Sequence, residues 1–125
     1  MRRAGSRQTC VAVVDDDDSL CRSVERLLRA AGIRAITYPS AEAFLDDSTQ
    51  SHFDCLLLDI QLPGISGLEL QRQLVASGAT LPVVFITAYD DPQARKEARA
   101  AGCAGFLRKT DVGSEVLAAV RRVVS

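Results

Sequence analysis

The middle of the chain contains an apolar run that stops at a carboxylate and continues into a loop rich in proline and glycine: Phe53-Asp54-Cys55-Leu56-Leu57-Leu58-Asp59-Ile60-Gln61-Leu62-Pro63-Gly64-Ile65-Ser66-Gly67. A short apolar run bounded by turn signals is typical of a strand buried on both faces, although periodicity does not exclude a buried helix. An acid that follows such a strand lies at the rim of a rigid sheet, half exposed to water, where open parallel sheets bind ligands. Alone, Asp59 also fits an ordinary turn or helix cap, so its meaning depends on the rest of the chain.

Length and composition predict one globular domain of ordinary type. The 125 residues are 47% hydrophobic and 25% charged, which is usual for a globular protein. A formal net charge of -1 provides no positive field for nucleic acid, so we expect no direct nucleic-acid binding. No apolar run approaches the roughly 20 residues of a membrane span, and the basic N-terminus lacks the apolar centre of a signal peptide. We expect a cytoplasmic protein without membrane contact, with a basic tail at residues 1–8 and a single domain at residues 9–125.

The cysteines are predicted to be structural. They show no CxxC spacing and no histidine placed to complete a zinc site; they are Cys10, Cys21, Cys55 and Cys103. Cys10 and Cys55 lie in apolar runs, where a free cysteine behaves as a small hydrophobic residue.

Strand-like runs alternate with helical periodicity five times. The runs lie at residues 10–14, 33–38, 53–58, 81–86 and 104–107, and this order favours an α/β fold with a parallel sheet and right-handed crossovers. The first, third and fourth runs are almost entirely apolar, as central parallel strands must be. The second and fifth carry Arg34, Thr37 and Gly105, as edge strands can. The pattern therefore predicts a flavodoxin-like (βα)5 doubly wound sheet of order 2-1-3-4-5.

The helices have recognisable starts. Asp17 or Asp18 can cap the first helix, Ser40 the second, and Asp91-Pro92 begins the fourth. The fourth helix has an inner face of alanines only, Ala94, Ala98 and Ala101, and thus little apolar area to hold it against the sheet.

Polar residues follow several of the predicted strands. In a parallel sheet the carboxyl ends of the strands share one edge, which here would collect Asp15, Asp16, Asp59, Thr87 and Lys109. Three adjacent carboxylates repel one another and call for a cation. Oxygen ligands on an open site suit Mg2+, and the same acidic site suits Mn2+.

Carboxylates, Mg2+, a hydroxyl and a lysine together are typical of phosphoryl transfer, which requires positioning and charge neutralisation. A carboxylate nucleophile then becomes an aspartyl phosphate. Each residue alone has an ordinary explanation, as a helix-end charge, a strand-end threonine or a surface lysine. Their shared place after separate strands favours a common site.

From about Thr9 to Val124 the chain resembles a receiver domain of a two-component response regulator. The resemblance rests on an ordered set of motifs: Val13-Val14-Asp15-Asp16, Asp59 with Pro63 and Gly67, Ile86-Thr87-Ala88, and Phe106 with Lys109. It implies a phosphorelay protein that signals and assists its own phosphorylation and dephosphorylation without being an enzyme.

The resemblance also implies roles for single residues. Asp59 would accept a phosphoryl group from a histidine kinase. Asp16, Asp59 and the Gln61 carbonyl would bind Mg2+, with Asp15 acting mainly through water. Thr87, the Ala88 N–H and Lys109 would contact the phosphoryl oxygens. Thr87 and Phe106 would form the switch that alters the face of the fourth helix, fifth strand and fifth helix, through which a homodimer could form.

The sequence departs from the family at one position. Many receivers place a cis proline after the lysine, whereas Lys109 precedes Thr110. Because a cis bond before a non-proline residue costs roughly 3 kcal/mol, we expect a trans bond and a somewhat different loop. His52 precedes Asp59 by seven residues, an extended length of roughly 23 Å, and is expected at the opposite rim of the sheet.

Two other functions fit parts of the sequence. A small phosphatase resembling the haloacid dehalogenase superfamily would use Asp15 and Asp17, with Thr87 and Lys109 in support, but would leave Asp59 without a role. That superfamily needs a further acidic motif after the lysine, for which Asp111 and Glu115 are available. The second alternative is a binding module whose receiver-like site is idle. The resemblance leans towards receivers joined to helix-turn-helix domains, which indicates a link to transcription.

Overall fold

The computed structural model describes residues 8–47, 52–88, 91–111 and 113–124. Residues 1–7 of the predicted basic tail, and Tyr89 in the loop after the fourth strand, lie outside these ranges. The side chain of Asp111 is likewise not described. Among the described residues, none of the helices combines the length and apolarity that a membrane crossing requires.

Strands and helices alternate along the described chain, as the sequence predicts. The strands are β1 (Cys10–Val14), β2 (Arg34–Tyr38), β3 (Cys55–Asp59), β4 (Val83–Thr87) and β5 (Gly105–Arg108). The helices are α1 (Asp18–Ala30), α2 (Ala41–Asp46), α3 (Gly67–Ala76), α4 (Pro92–Ala100) and α5 (Ser114–Val124), and a 3-10 turn (Lys109–Asp111) follows β5. The sheet is parallel with order β2-β1-β3-β4-β5, so the predicted flavodoxin-like order is confirmed.

The predicted helix starts are also confirmed. The Asp17 carboxylate accepts the Leu20 N–H at 3.2 Å, and the Ser40 hydroxyl accepts the Ala43 N–H at 3.0 Å. The Asp91 carboxylate accepts the Gln93 N–H at 3.0 Å before Pro92. These side chains satisfy backbone donors that a helix cannot pair internally.

The core consists of two layers, one on each face of the sheet. Alternate residues of the central strands face opposite sides, because successive side chains of a strand point in opposite directions. One layer joins Ala12, Leu56 and Phe85 to α2, α3 and α4. The other joins Val13, Leu57 and Ile86 to α1 and α5. Residues 10–14, 55–59 and 83–87 are buried throughout, so the central strands form a rigid base for the residues at their carboxyl ends.

Helix α4 is held less firmly than the other described helices, each of which has two or more buried apolar residues. Its buried residue is Ala98, while Ala94 and Ala101 are partly exposed. The facing residue on α3 is Gln71, which is 2% exposed. Its amide Nε2 donates to the Ala98 carbonyl at 3.4 Å, and its Oε1 has no hydrogen-bond partner among the described residues. The contact between α3 and α4 therefore contains a buried amide that is only partly satisfied.

We predict that Gln71→Met raises the free energy of unfolding by about 1 kcal/mol, because a buried polar atom without a partner costs about that much or more. The Ala98 carbonyl still accepts a hydrogen bond from the Cys103 N–H at 3.1 Å. The substitution therefore leaves this carbonyl with a hydrogen-bond partner. Urea unfolding monitored by circular dichroism measures the change. Gln73→Met is the matched control, since Gln73 is exposed on the same helix and its replacement should have little effect. An unchanged or lowered stability of Gln71→Met would contradict the prediction.

Candidate functional site

The site lies where the carboxyl ends of β1, β3 and β4 meet the turn after β5. Asp15 follows β1 directly, Asp59 is the last residue of β3, and Thr87 is the last residue of β4. Lys109 begins the 3-10 turn. The register places Asp59 beside Ile86, one residue before Thr87. The sheet thus brings together residues that are up to 94 positions apart in sequence.

Carboxylate oxygens of Asp15, Asp16 and Asp59 lie within 4.8 Å of one another. Asp15 and Asp59 are each 3% exposed, whereas Asp16 is open to water. The predicted acidic cluster is therefore present, but Asp59 is more buried than the half-exposed position that the sequence suggested. The reason is that Asp59 belongs to β3 itself, and its carboxylate accepts a hydrogen bond from Lys109.

Lys109 bridges the two buried carboxylates. Its ammonium group donates to Asp15 Oδ1 and to Asp59 Oδ2, each at 3.2 Å. It also lies 3.1 Å from Asp15 Oδ2 as an ion pair, without the geometry of a hydrogen bond. The described residues contain no cis peptide bond, so Lys109–Thr110 is trans, as expected from the absence of proline. The trans bond still allows Lys109 to reach Asp59.

The electrostatics of Asp59 reflect this crowding. Burial first, and then the neighbouring Asp15 carboxylate, raise the pKa of Asp59 from 3.8 to about 6, although the Gln61 N–H and the Lys109 ammonium favour its ionised form. Burial alone would lower the pKa of Lys109, but its hydrogen bonds and charge interactions with Asp15 and Asp59 outweigh burial and raise it. The lysine therefore stays charged, but its single positive charge does not balance the charges of the carboxylates.

The donor set fits a hard divalent cation. Asp15 Oδ2 is buried and has no hydrogen-bond partner among the described residues, and all the available donors are oxygens, as Mg2+ and Mn2+ prefer. A cavity of about 220 Å3, lined by residues that include Asp15, Asp16, Cys21 and Thr37, borders the cluster. It leaves room for the water molecules that Mg2+ usually keeps.

The loop after β3 is held close to the site. The Gln61 N–H donates to Asp59 Oδ1 at 3.1 Å, and the Gly67 N–H donates to the Ile60 carbonyl at 2.9 Å. A Cβ at position 67 would lie 2.1 Å from the Asp59 carbonyl oxygen, which is far inside contact distance. The predicted motif residue Gly67 is thus required by the close approach of α3 to the backbone that carries Asp59.

Phe106 lies on β5 beside Phe85 of β4, and its ring is half-buried. Its centroid is 6.2 Å from that of Phe85, and the Arg95 guanidinium lies 4.8 Å above it. Ala88 follows Thr87 and is exposed. His52 precedes β3 and is exposed at the opposite end of that strand from Asp59, so the structure keeps it away from the site, as predicted.

Sequence reasoning missed residues that contact the site from helices. Cys21 is buried on α1, and its thiol donates to the Asp15 carbonyl at 3.3 Å. Burial, followed by the nearby aspartates, raises the pKa of Cys21 to about 11, so the thiol stays protonated. Arg95 and Glu42, which contacts the loop after β3, were also missed. A helical position on the sheet side signals burial, but no sequence signal identifies the partner across the chain.

Comparison with known proteins places the chain among receivers. The sequence model described as the response regulator receiver domain matches residues 11–121. The response regulator protein TodT of Pseudomonas putida is 33% identical over 97% of this chain and 53% of its own length. The transcriptional regulatory protein FixJ of Azorhizobium caulinodans is 40% identical over 89% of this chain and 53% of its own length. The chain thus spans about half the length of these curated relatives.

A solved structure described as FixJ-N has the same fold. It superposes with a TM-score of 0.85 at 28% identity, covering 95% of each chain.

We predict that Asp59→Asn stabilises the Mg2+-free protein. The pKa of Asp59 in the fold, about 6, lies above its ordinary value of 3.8, so ionised Asp59 opposes folding above pH 6 and this penalty vanishes as the pH falls to about 4. The variant should gain about 1–2 kcal/mol at pH 7.5 and nothing at low pH, measured by urea unfolding in EDTA.

The control for this experiment is Asp91→Asn, because asparagine caps a helix as well as aspartate does. If Asp59→Asn is no more stable than the wild type at pH 7.5, the buried charge of Asp59 does not limit the stability of the Mg2+-free protein.

Proposed function

The chain belongs to the response regulator receiver family, and we propose that Asp59 is its phosphoacceptor, taking a phosphoryl group from a phosphohistidine of a histidine kinase. Receiver domains are signalling domains of two-component systems and not enzymes in the usual sense. The single observation that supports the assignment to Asp59 is its position, buried at the end of β3 with Lys109 bridging its carboxylate to that of Asp15.

The transfer is a displacement at phosphorus. An Asp59 carboxylate oxygen forms the new P–O bond, the P–N bond to the kinase imidazole breaks, and the imidazole nitrogen keeps the bonding electron pair. Lys109, already 3.2 Å from Asp59 Oδ2, is placed to exchange this contact for one to a phosphoryl oxygen. Because Lys109 is held by Asp15 as well, it remains in the site during that exchange.

The cation site consists of Asp15, Asp16, Asp59 and the Gln61 backbone carbonyl, with Asp15 acting mainly through water. Bound Mg2+ or Mn2+ supplies positive charge that offsets the charge on the transferring phosphoryl oxygens. The three carboxylates support this set, as does Asp15 Oδ2, which accepts no hydrogen bond from the part of the chain that the structure describes. We further propose that the same residues let the chain assist its own phosphorylation from small donors and its later dephosphorylation.

The phosphoryl oxygens are proposed to contact Thr87, the Ala88 N–H and Lys109. Movement of Thr87 towards them would leave space that the Phe106 ring fills, which makes Thr87 and Phe106 the switch. A phosphoryl group can shift such an equilibrium only by contacting one state better than the other. The partly satisfied Gln71 amide and the small alanine face of α4 support α4, β5 and α5 as the output face that changes.

The wider biology is also a proposal, because the relatives are about twice as long as the matched region. We propose that the chain acts in the cytoplasm as the receiver of a transcriptional regulator, since one relative, FixJ, is a transcriptional regulatory protein. Its partners would be a histidine kinase and a second receiver bound through α4, β5 and α5. With a net charge of -1, direct nucleic-acid binding is assigned to another domain.

The two alternatives are less well supported. A phosphatase resembling the haloacid dehalogenase superfamily needs Asp17 in its chemistry, but the Asp17 carboxylate caps α1. It also leaves Asp59 without a role, although Asp59 belongs to the acidic cluster. An idle module fits poorly with a site that brings three carboxylates and Lys109 together at a cost in electrostatic repulsion.

We predict that wild-type protein incubated with 32P-labelled acetyl phosphate and Mg2+ acquires an acyl phosphate at Asp59 that is labile to both acid and base. Asp59→Asn should acquire none, because an amide oxygen is a poor nucleophile, and EDTA should abolish labelling of the wild type. Asp91→Asn, which changes an exposed aspartate in the same way, should label normally. Labelling of Asp59→Asn at the wild-type level would falsify Asp59 as the acceptor.

We predict that beryllofluoride with Mg2+, a phosphoryl mimic, changes amide hydrogen exchange in α4 and β5 but not in β1. The reason is that α4 has little apolar contact with the sheet, whereas β1 is buried throughout. Exchange measured by mass spectrometry tests this, with Asp59→Asn as the control that should not respond. Unchanged exchange across residues 91–110 of the wild type would rule out this output face.

A further inference from the structure

A carboxylate on α2 reaches across to the loop that carries Asp59. Glu42 Oε2 accepts the backbone N–H of Ile65 at 3.0 Å, although the two residues are 23 positions apart. The N–H of Ile65, and then that of Glu42 itself, lower the pKa of Glu42, which is the expected effect of hydrogen bonds to the ionised form. Glu42 thus meets the loop as a charged acceptor.

The loop backbone is shaped to receive this carboxylate. Gly64 has a φ of +75°, in the left-handed region that favours glycine. A Cβ at Gly64 would lie 2.3 Å from Glu42 Oε2, so a larger residue would displace the carboxylate. Gly64 therefore serves both the turn and the close approach of Glu42.

Helix α2 provides a firm base for the contact. Ala41 and Phe44, on either side of Glu42, are 0% exposed in the core, and Ser40 caps the helix. The loop itself has two further ties, Gln61 N–H to Asp59 and Gly67 N–H to Ile60. Both of these join residues within the loop and its ends, whereas Glu42 ties the loop to a separate element.

We propose that Glu42 is a positioning residue for the cation site, which holds the loop at Ile65 so that the Gln61 carbonyl and the Asp59 carboxylate stay arranged for Mg2+. Glu42 itself does not touch the cation or the phosphoryl group. This inference rests on the proposed function, because it assigns Glu42 to the Mg2+ site of the same reaction. It predicts an effect on Mg2+ affinity and little effect on phosphoryl transfer once the cation is saturating.

The test is an Mg2+ titration of the wild type, Glu42→Ala and Glu42→Gln, followed by backbone amide NMR shifts. Glu42→Ala should weaken Mg2+ binding about tenfold, the lower end of what loss of a supporting hydrogen bond costs a metal site. Its Ile65 amide proton should move upfield. Glu42→Gln should recover most of the affinity, because its amide oxygen still accepts a hydrogen bond. Labelling by acetyl phosphate should need more Mg2+ in Glu42→Ala but reach the wild-type plateau.

The matched control is Glu69→Ala, which removes a negative charge from the first turn of α3, at the other end of the same loop. If Glu69→Ala and Glu42→Ala weaken Mg2+ binding equally, general charge explains the effect and the proposal is wrong. The proposal also fails if Glu42→Ala shifts the Ile65 amide proton but leaves Mg2+ affinity unchanged, since Glu42 is then only a structural tie.

Gly64→Ala tests the same contact from the loop side, and its effect in the wild-type background can be measured even if Glu42→Ala is poorly folded. Gly64→Ala should displace Glu42 and weaken Mg2+ binding, and part of that loss should be absent in a Glu42→Ala background because both changes remove the same contact. Fully additive losses would overturn the proposal. If Mg2+ binding depends on Glu42 while Asp59 takes no phosphoryl group, the proposed function fails and this inference stands. If Asp59 is labelled but Mg2+ affinity does not depend on Glu42, the proposed function stands and this inference fails.

Discussion

The placement of two buried carboxylates beside one lysine is the interaction on which the site depends. Asp15 and Asp59 are each 3% exposed, and Lys109 is the cation that contacts both. One positive charge does not neutralise these two and the nearby Asp16, which explains why burial and Asp15 raise the pKa of Asp59 to about 6. The imbalance favours whatever brings positive charge to the cluster, and it disfavours the empty protein. In such a site the burial and mutual repulsion of the carboxylates destabilise the cation-free protein, and a bound cation relieves that cost.

The packing of the central sheet offsets this electrostatic cost. Strands β1, β3 and β4 are buried throughout, and apolar layers cover both of their faces. The loop after β3 is then tied at Gln61, Ile65 and Gly67, so its backbone has little freedom to move away from Asp59. The opposite condition holds at α4, where Ala98 and a partly satisfied Gln71 provide weak packing. The domain thus combines a rigid chemical site with one loosely packed face, and this division suits a protein that converts a local covalent change into a change of surface.

Much of this arrangement was accessible from the sequence, and the exceptions share a cause. Apolar runs and helical periodicity identified all five strands and helices, because burial by the sheet imposes a local pattern. Strand ends were misplaced by a residue or two: Asp59 and Thr87 belong to β3 and β4 and are buried. Gln71 is a polar residue, yet its helical position places it against Ala98. Hydrogen bonding between strands extends a strand beyond its apolar run, and residue type alone does not report it.

The local order of residues was sufficient for the strand order, the capped helices and the list of side chains at the carboxyl edge, because periodicity, turn chemistry and strand polarity all act over short stretches. The distances among those side chains do not follow from the local order of residues. Lys109 reaches Asp15 across 94 positions, and Glu42 reaches Ile65 across 23. Such contacts exist only after the sheet has assembled, since they depend on strand register, helix orientation and the exclusion of water. The burial of Asp59, and with it the raised pKa, is a property of the packed molecule alone.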